Sequence, residues 1–250
     1  MSAGDVVTLH EVETGILQVT MQDRENKNTF SPALVEGLIA AFDAIALDTR
    51  CKAVILTGYD SYFASGGTKA GLLELSEGKS KFSDRDFYSL ALNCEVPVIA
   101  AMQGHGVGGG FVLGLFSDFP ILGRESIYTT NFMKYGFTPG MGSTFVLPAK
   151  LGITLAEEMM LTARTYRGED LQRRGVPFPV LPRNEIADYA LELARSLADK
   201  PRPSLVTLKD HLVAGLRAGL PAVIAQEEAM HAKTFGQPEV KDRIRAFFDG

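Results

Sequence analysis

The amino-acid sequence predicts an α/β fold in which parallel strands alternate with helices that cover both faces of a sheet. Three observations carry this. Lys52 to Thr57 and Val96 to Met102 are apolar almost throughout, as strands are when neither face meets water. Leu34, Leu38, Phe42 and Ile45 recur at helical spacing ahead of the first of these runs. Each run leads into a glycine-rich turn, Phe63-Ala64-Ser65-Gly66-Gly67 after the first and Gly104 to Gly110 after the second. Strands and helices in that alternation imply right-handed crossovers.

The individual elements follow in chain order. Val6 to His10 and Ile16 to Met21 alternate as strands, with Glu13-Thr14-Gly15 as a hairpin turn. Ser31 is placed to cap a helix whose first turn holds Pro32, where a missing N–H costs nothing. Gly71 to Asp86, rich in Gly, Ser, Lys and Asp, reads as a mobile loop centred on Gly78-Lys79-Ser80-Lys81. Phe111 to Phe116 is long enough for a short buried helix, Phe119 to Leu122 for the next strand, and Gly136 to Gly142 for another tight turn. Thr154 with Glu157 fits a capping box for a helix through Leu161, and Asn184 caps one running to about Leu197. Pro201 and Pro203 mark off a helical tail with Leu205, Leu208, Leu212, Ile224, Glu228, His231 and Phe235 along one face. The chain therefore divides into a core, residues 1–199, and a C-terminal helical region, residues 200–250.

With 250 residues, 46% of them hydrophobic and 22% charged, the chain buries a sizeable core. Its apolar runs fall far short of the ~18 residues that span a bilayer, and the N-terminus shows no signal-peptide pattern, so a cytoplasmic protein without membrane attachment is expected. A net charge of −5 offers no attraction to nucleic acid or anionic membrane. Cys51 and Cys94, two only and widely spaced, read as inert buried thiols, and no His, Asp, Glu or Cys cluster has metal-ligand spacing.

If the two glycine turns converge, their N–H groups can grip one oxygen. Donors aimed beforehand suit a carbonyl oxygen that gains negative charge during reaction. Two readings compete. Gly104, Gly106 and Gly109 satisfy the spacing of a dinucleotide fingerprint, with Glu125 about twenty residues on; but that fingerprint belongs in the first βαβ unit, and it leaves the other turn unexplained. Alternatively the glycines serve only close helix–sheet packing.

These turns, together with Gly136-Phe137-Thr138-Pro139-Gly140, resemble the crotonase (enoyl-CoA hydratase/isomerase) superfamily over nearly the whole chain. The resemblance implies a spiral of ββα units with a C-terminal helical trimerisation region, an assembly of three subunits or a dimer of trimers, and an oxyanion hole formed by the backbone N–H groups of Ser65 and Gly109. Hydratases of this family use two glutamates on water. Val112 and Phe132 stand at those positions and can neither activate water nor relay a proton; with Gly66 they are expected to shape the substrate pocket. Lys81 in the loop and Glu228-Ala229-Met230-His231 in the tail make the chain similar to the decarboxylating branch found in polyketide β-branching (HMG-CoA synthase-type) cassettes. That branch acts on a 3-methylglutaconyl group carried on the phosphopantetheine of an acyl carrier protein, with coenzyme A an equivalent arm. The motif match places its lysine and histidine roles on Lys81 and His231.

The residues alone do not select these two. Lys69 and Lys79 share the polar setting of Lys81, and His231 shares a helical face with Ile224 and Phe235, as a packed core histidine would. Glu227, four residues before His231, is placed to hold its charged form. His105 is expected to point away from the turn it sits in and to order the loop. The expected reaction is decarboxylation to 3-methylcrotonyl through a dienolate, with no metal or organic cofactor. A hydratase or double-bond isomerase with displaced acid and base is the alternative enzyme, and a silent trimeric module that docks a carrier protein the alternative outside catalysis.

Overall fold

The computed structural model describes residues 6–249; the ends of the two expected segments, residues 1–5 and Gly250, lie outside the described residues. Ten strands are present among them: β1 (Val7–Glu13), β2 (Ile16–Met21), β3 (Ala53–Thr57), β4 (Tyr62–Ala64), β5 (Val98–Met102), β6 (His105–Val107), β7 (Phe119–Gly123), β8 (Ile127–Thr129), β9 (Thr165–Arg167) and β10 (Val180–Leu181). The helices are α1 (Pro32–Leu47), α2 (Lys69–Ser76), α3 (Leu90–Asn93), α4 (Gly109–Leu115), α5 (Ser143–Leu151), α6 (Ile153–Thr162), α7 (Gly168–Arg173), α8 (Ile186–Ala198), α9 (Arg202–Thr234) and α10 (Pro238–Asp249).

A six-stranded sheet runs in the order β1-β2-β3-β5-β7-β10, and a four-stranded sheet in the order β4-β6-β8-β9. All pairings are parallel except the β1–β2 hairpin and β8–β9. Each long strand thus hands the chain over to a short strand of the second sheet, β3 to β4 and β5 to β6, and the glycine turns lie just beyond the short strands. β4 pairs with β6 through Tyr62–His105 and Ala64–Gly106. That pairing brings the two turns side by side.

The apolar runs are buried on both faces, as their composition demands. Val54, Leu56, Val98, Ala100 and Met102 belong to the main core. Ala53, Ile55, Ile99 and Ala101 face a second cluster built with Ile186, Ala190 and Ala194 of α8. Ser31 caps α1 as expected, its Oγ accepting from Leu34 N at 3.2 Å. The tail is tied down by a buried cation: Lys209 Nζ donates to the carbonyls of Ala91 and Val96 and pairs with Asp118 at 2.8 Å. Among the described residues no helix is long and apolar enough to cross a membrane.

Three local expectations need correction. The segment expected as a loop opens with a helical stretch, Gly71 to Ser76, because Thr68 Oγ1 accepts from Gly71 N at 3.1 Å and caps α2, while Leu72 is buried; its centre at Gly78-Lys79-Ser80-Lys81 is irregular, as expected. Thr154 lies inside α6, which starts one residue earlier because Gly152, at φ 80°, already redirects the chain out of α5. Asn184 sits in a 3₁₀ turn ahead of α8 and makes no cap bond; the helix begins after Glu185.

Candidate active site

The two glycine turns meet. A methyl group added at Gly66, where φ is +76°, would stand 2.7 Å from Val107 O and 3.4 Å from Gly109 N. Only a residue without Cβ allows that approach at that backbone angle. Ser65, Gly66, Gly67 and Gly109 line one narrow cavity of about 20 Å³, closed by Phe132, Tyr135, Phe137 and Met141.

Ser65 reaches this cavity, but its N–H does not serve it. The N–H donates to Asn28 O at 2.9 Å and the hydroxyl to Lys27 O at 2.6 Å. Lys27 and Asn28 both adopt positive φ, a conformation that Asn tolerates better than most residues, and this turns their carbonyls toward the β4 turn. Buried Asn28 completes the brace by donating to Met21 O and Phe63 O. The expected Ser65 donor is therefore corrected. Beyond Ser65 the turn offers the Gly67 amide, whose N–H has no acceptor among the described residues. Gly109 opens α4, so its N–H has no intrahelical partner, and none elsewhere among the described residues.

Gly66 and Phe132 line the cavity as expected. Val112 does not: it is fully buried in the main core one helical step further along α4. No carboxylate and no imidazole lines the cavity among the described residues. Its polar side chains include Asn131 and Tyr135, joined by Asn131 Nδ2 to Tyr135 Oη at 3.3 Å. Burial pushes the Tyr135 phenol up to about 12, so it stays protonated at neutral pH.

Lys81 and His231, 150 residues apart in sequence, line a second, wider cleft of about 400 Å³ with Glu228 and Phe235. Phe82 borders both spaces, its ring 5.3 Å from that of His231. Lys79 instead pairs with Glu77 at 2.7 Å. The His231 Nε2 lies 3.0 Å from Thr138 O and 3.1 Å from Pro139 O. Both carbonyls can only accept, so Nε2 carries the hydrogen. Burial holds the imidazole below its ordinary range, against the two carbonyl bonds and the Glu228 charge, which push it up. Free of ligand, His231 is mostly neutral at pH 7.

Glu227 does not face His231. It is buried, and its carboxylate accepts from Gly142 N at 2.7 Å, Thr144 N at 2.9 Å and Thr144 Oγ1 at 2.6 Å. It thus clasps the start of α5, with burial holding its carboxyl above the ordinary value. Two carboxylates line the cleft: Glu77, paired with Lys79 and Lys241, and Glu228, bonded to Ser83 Oγ and paired with Lys81 Nζ at 3.3 Å. His105 accepts from Ile127 N at Nδ1, 3.0 Å, which orders the second turn from outside. Glu125 accepts from Arg183 N, away from either space. Sequence reasoning passed over Gly67 and the Asn131–Tyr135 pair. Gly67 was visible as part of the first glycine turn, and Asn131 as a polar residue beside the apolar Phe132.

The chain is similar to known proteins over nearly its whole length. The enoyl-CoA hydratase/isomerase family model matches residues 11–249. The chain is 64% identical over 243 residues to the bacillaene synthase decarboxylase PksI of Bacillus subtilis (strain 168), covering 97% of this chain and 98% of that protein. It is also similar to a solved structure from work on a dehydratase/decarboxylase enzyme couple involved in polyketide beta-branching, with a TM-score of 0.96 at 64% identity and 97% and 96% of the two chains covered. The ECH2 decarboxylase domain of CurF from Lyngbya majuscula superposes with a TM-score of 0.93 at 47% identity, covering 97% of this chain and 99% of that one.

Proposed function

The chain belongs to the enoyl-CoA hydratase/isomerase family and is a decarboxylase of polyketide β-branching within it; from that premise we propose that it converts a 3-methylglutaconyl thioester on an acyl carrier protein to 3-methylcrotonyl. The observation that carries the reading is the pairing of two spaces: a cavity lined by unengaged amides without any carboxylate or imidazole, and beside it a cleft holding a lysine and a histidine.

The thioester oxygen lies between the N–H groups of Gly67 and Gly109. As the bond to the terminal carboxylate breaks, its electron pair moves through the double bond onto that oxygen and CO₂ departs. The two amides stabilise the resulting dienolate, a donor of this kind being worth ~10²- to 10³-fold in rate. Lys81 holds the carboxylate with its scissile bond across the conjugated plane. His231 then delivers a proton to carbon, which restores the thioester. Because Nε2–H is held by the Thr138 and Pro139 carbonyls, the transferable proton is the one on Nδ1 of the imidazolium, and the same carbonyls stabilise that charged form. Phe132, in place of an acid, keeps water from the intermediate and leaves hydration without a general base.

The carrier arm enters in the cytoplasm from an acyl carrier protein or coenzyme A, both of which present phosphopantetheine. Leu208 and Leu212, exposed on α9, are assigned to contacts within a homotrimer or a dimer of trimers. Mass spectrometry of the acyl carrier before and after exposure to the enzyme tests the reaction: CO₂ loss is expected, whereas a gain of water would identify a hydratase. Lys81→Ala and His231→Ala should each lose most of this activity; full activity in both would reject their assignment.

A further inference from the structure

We propose that Glu228 is a positioning residue that competes with the substrate carboxylate for Lys81, keeping the ion pair between enzyme and substrate weak enough for CO₂ to leave. The inference rests on the decarboxylase reading and concerns how that site handles charge.

Glu228 projects from α9 one helical turn before His231 and lines the same cleft as Lys81. Its two oxygens have separate tasks. Oε1 accepts from Ser83 Oγ, which fixes the carboxylate against the 3₁₀ turn after Lys81. Oε2 faces Lys81 Nζ at 3.3 Å. The turn is independently held by Asp84, whose Oδ2 accepts from Lys81 N at 2.8 Å. Asp84 therefore serves the backbone of Lys81 and Glu228 its ammonium. Glu228 is partly exposed and Lys81 more so, with side-chain accessibilities of 31% and 65%, so a substrate carboxylate can reach the ammonium from the open side.

The consequence lies in where charge resides before and during reaction. In the ground state the substrate's negative charge sits on its carboxylate, beside Lys81 and Glu228 together. In the transition state that charge has moved toward the thioester oxygen, at the glycine turns. A bare Lys81 would stabilise the ground state more than the transition state and slow the reaction. With Glu228 beside it, the ammonium orients the carboxylate while the neighbouring anion repels it, and the repulsion is relieved as CO₂ forms. The same anion supports the imidazolium form of His231.

Glu228→Gln tests this, since the amide oxygen still accepts from Ser83 while the charge is lost. The probes are two saturated carrier thioesters that cannot decarboxylate, glutaryl with a terminal carboxylate and butyryl without one. Exposed ion pairs of this kind correspond to about 1.5- to fivefold in an equilibrium constant. Glutaryl binding should tighten by that factor in Glu228→Gln and butyryl binding should not change. With 3-methylglutaconyl as substrate, KM and kcat should fall together, the pattern left when ground-state strain is removed. Unchanged or weaker glutaryl binding, equal tightening for butyryl, or an undiminished kcat would each overturn the proposal. The binding arms require no turnover, so they are read separately from CO₂ release by the wild type, which decides the reaction itself.

Discussion

Replacing Gly140 by alanine adds one methyl group at the point where the turn after the 3₁₀ segment Asn131–Lys134 meets the tail helix α9. Gly140 lies outside the left-handed region, so alanine suits its backbone and the effect is steric alone. The new Cβ would stand 2.6 Å from His231 Cε1 and 2.7 Å from Phe82 Cδ2. Ordinary contact begins at 3.4 Å, so the imidazole must withdraw by about 0.8 Å, the difference between 3.4 and 2.6 Å. Thr138 and Pro139, whose carbonyls accept from Nε2, immediately precede Gly140, and retreat from the methyl stretches both bonds. Each such bond is worth about 0.5–1.5 kcal/mol net, and a misplacement near 1 Å at a reacting group costs roughly 10²-fold. We expect kcat for CO₂ release to fall about 10- to 100-fold, with a stability loss of about 1–3 kcal/mol from overpacking. The assay is single-turnover mass spectrometry of the carrier-bound acyl group, run well below the unfolding midpoint measured on the same protein. A folded Gly140→Ala enzyme with a rate within twofold of wild type would refute the placement of His231 as proton donor.

The pH dependence follows from the same imidazole. Burial holds His231 below its ordinary value near 6.5, and the charged form is the donor, so kcat/KM should fall as pH rises through a value below 6.5. His231→Gln should lack this limb, and a profile unchanged by that substitution would count against the imidazole. Glu227→Gln should cost about 1–3 kcal/mol in chemical denaturation, because an amide cannot accept from Gly142 N and both Thr144 groups at once. Its sign with pH is also defined. The folded-state carboxyl is raised, so the folded protein binds this proton more tightly than the unfolded chain. That contribution is complete below the ordinary carboxyl range and is lost as pH rises through the folded value. The stability gap between wild type and Glu227→Gln should therefore narrow across that interval, and a gap that widens would contradict the assignment.

Much of the fold was legible because it is written at short range. The both-face burial of β3 and β5, the Ser31 cap on α1 and the short buried α4 follow from composition and spacing within a few residues. The helical opening of the loop expected after Gly71 was missed for a local reason too: Thr68 as a cap and Leu72 as a buried anchor were outweighed by the polar residues around them. Lys81 and His231 were chosen by family resemblance rather than by physics, and a helix meeting a loop across the chain is what brings them to one cleft.

Residue type and order thus determined the alternation of strands and helices and the glycine turns, and placed at positions 112 and 132 a valine and a phenylalanine, neither of which can activate water. Tertiary structure decided which atoms are free. Ser65 lost its amide to Asn28, a residue far upstream whose left-handed backbone turns a carbonyl toward it, and the free donor moved to Gly67. Spacing placed Glu227, four residues before His231, to hold its charged form, yet the start of α5 claimed Glu227, and it is Glu228, on the same face as His231, that lines the cleft. A hydrogen bond satisfied across the fold leaves no mark on the local pattern, so only assembly of the distant segments reveals which groups remain for chemistry.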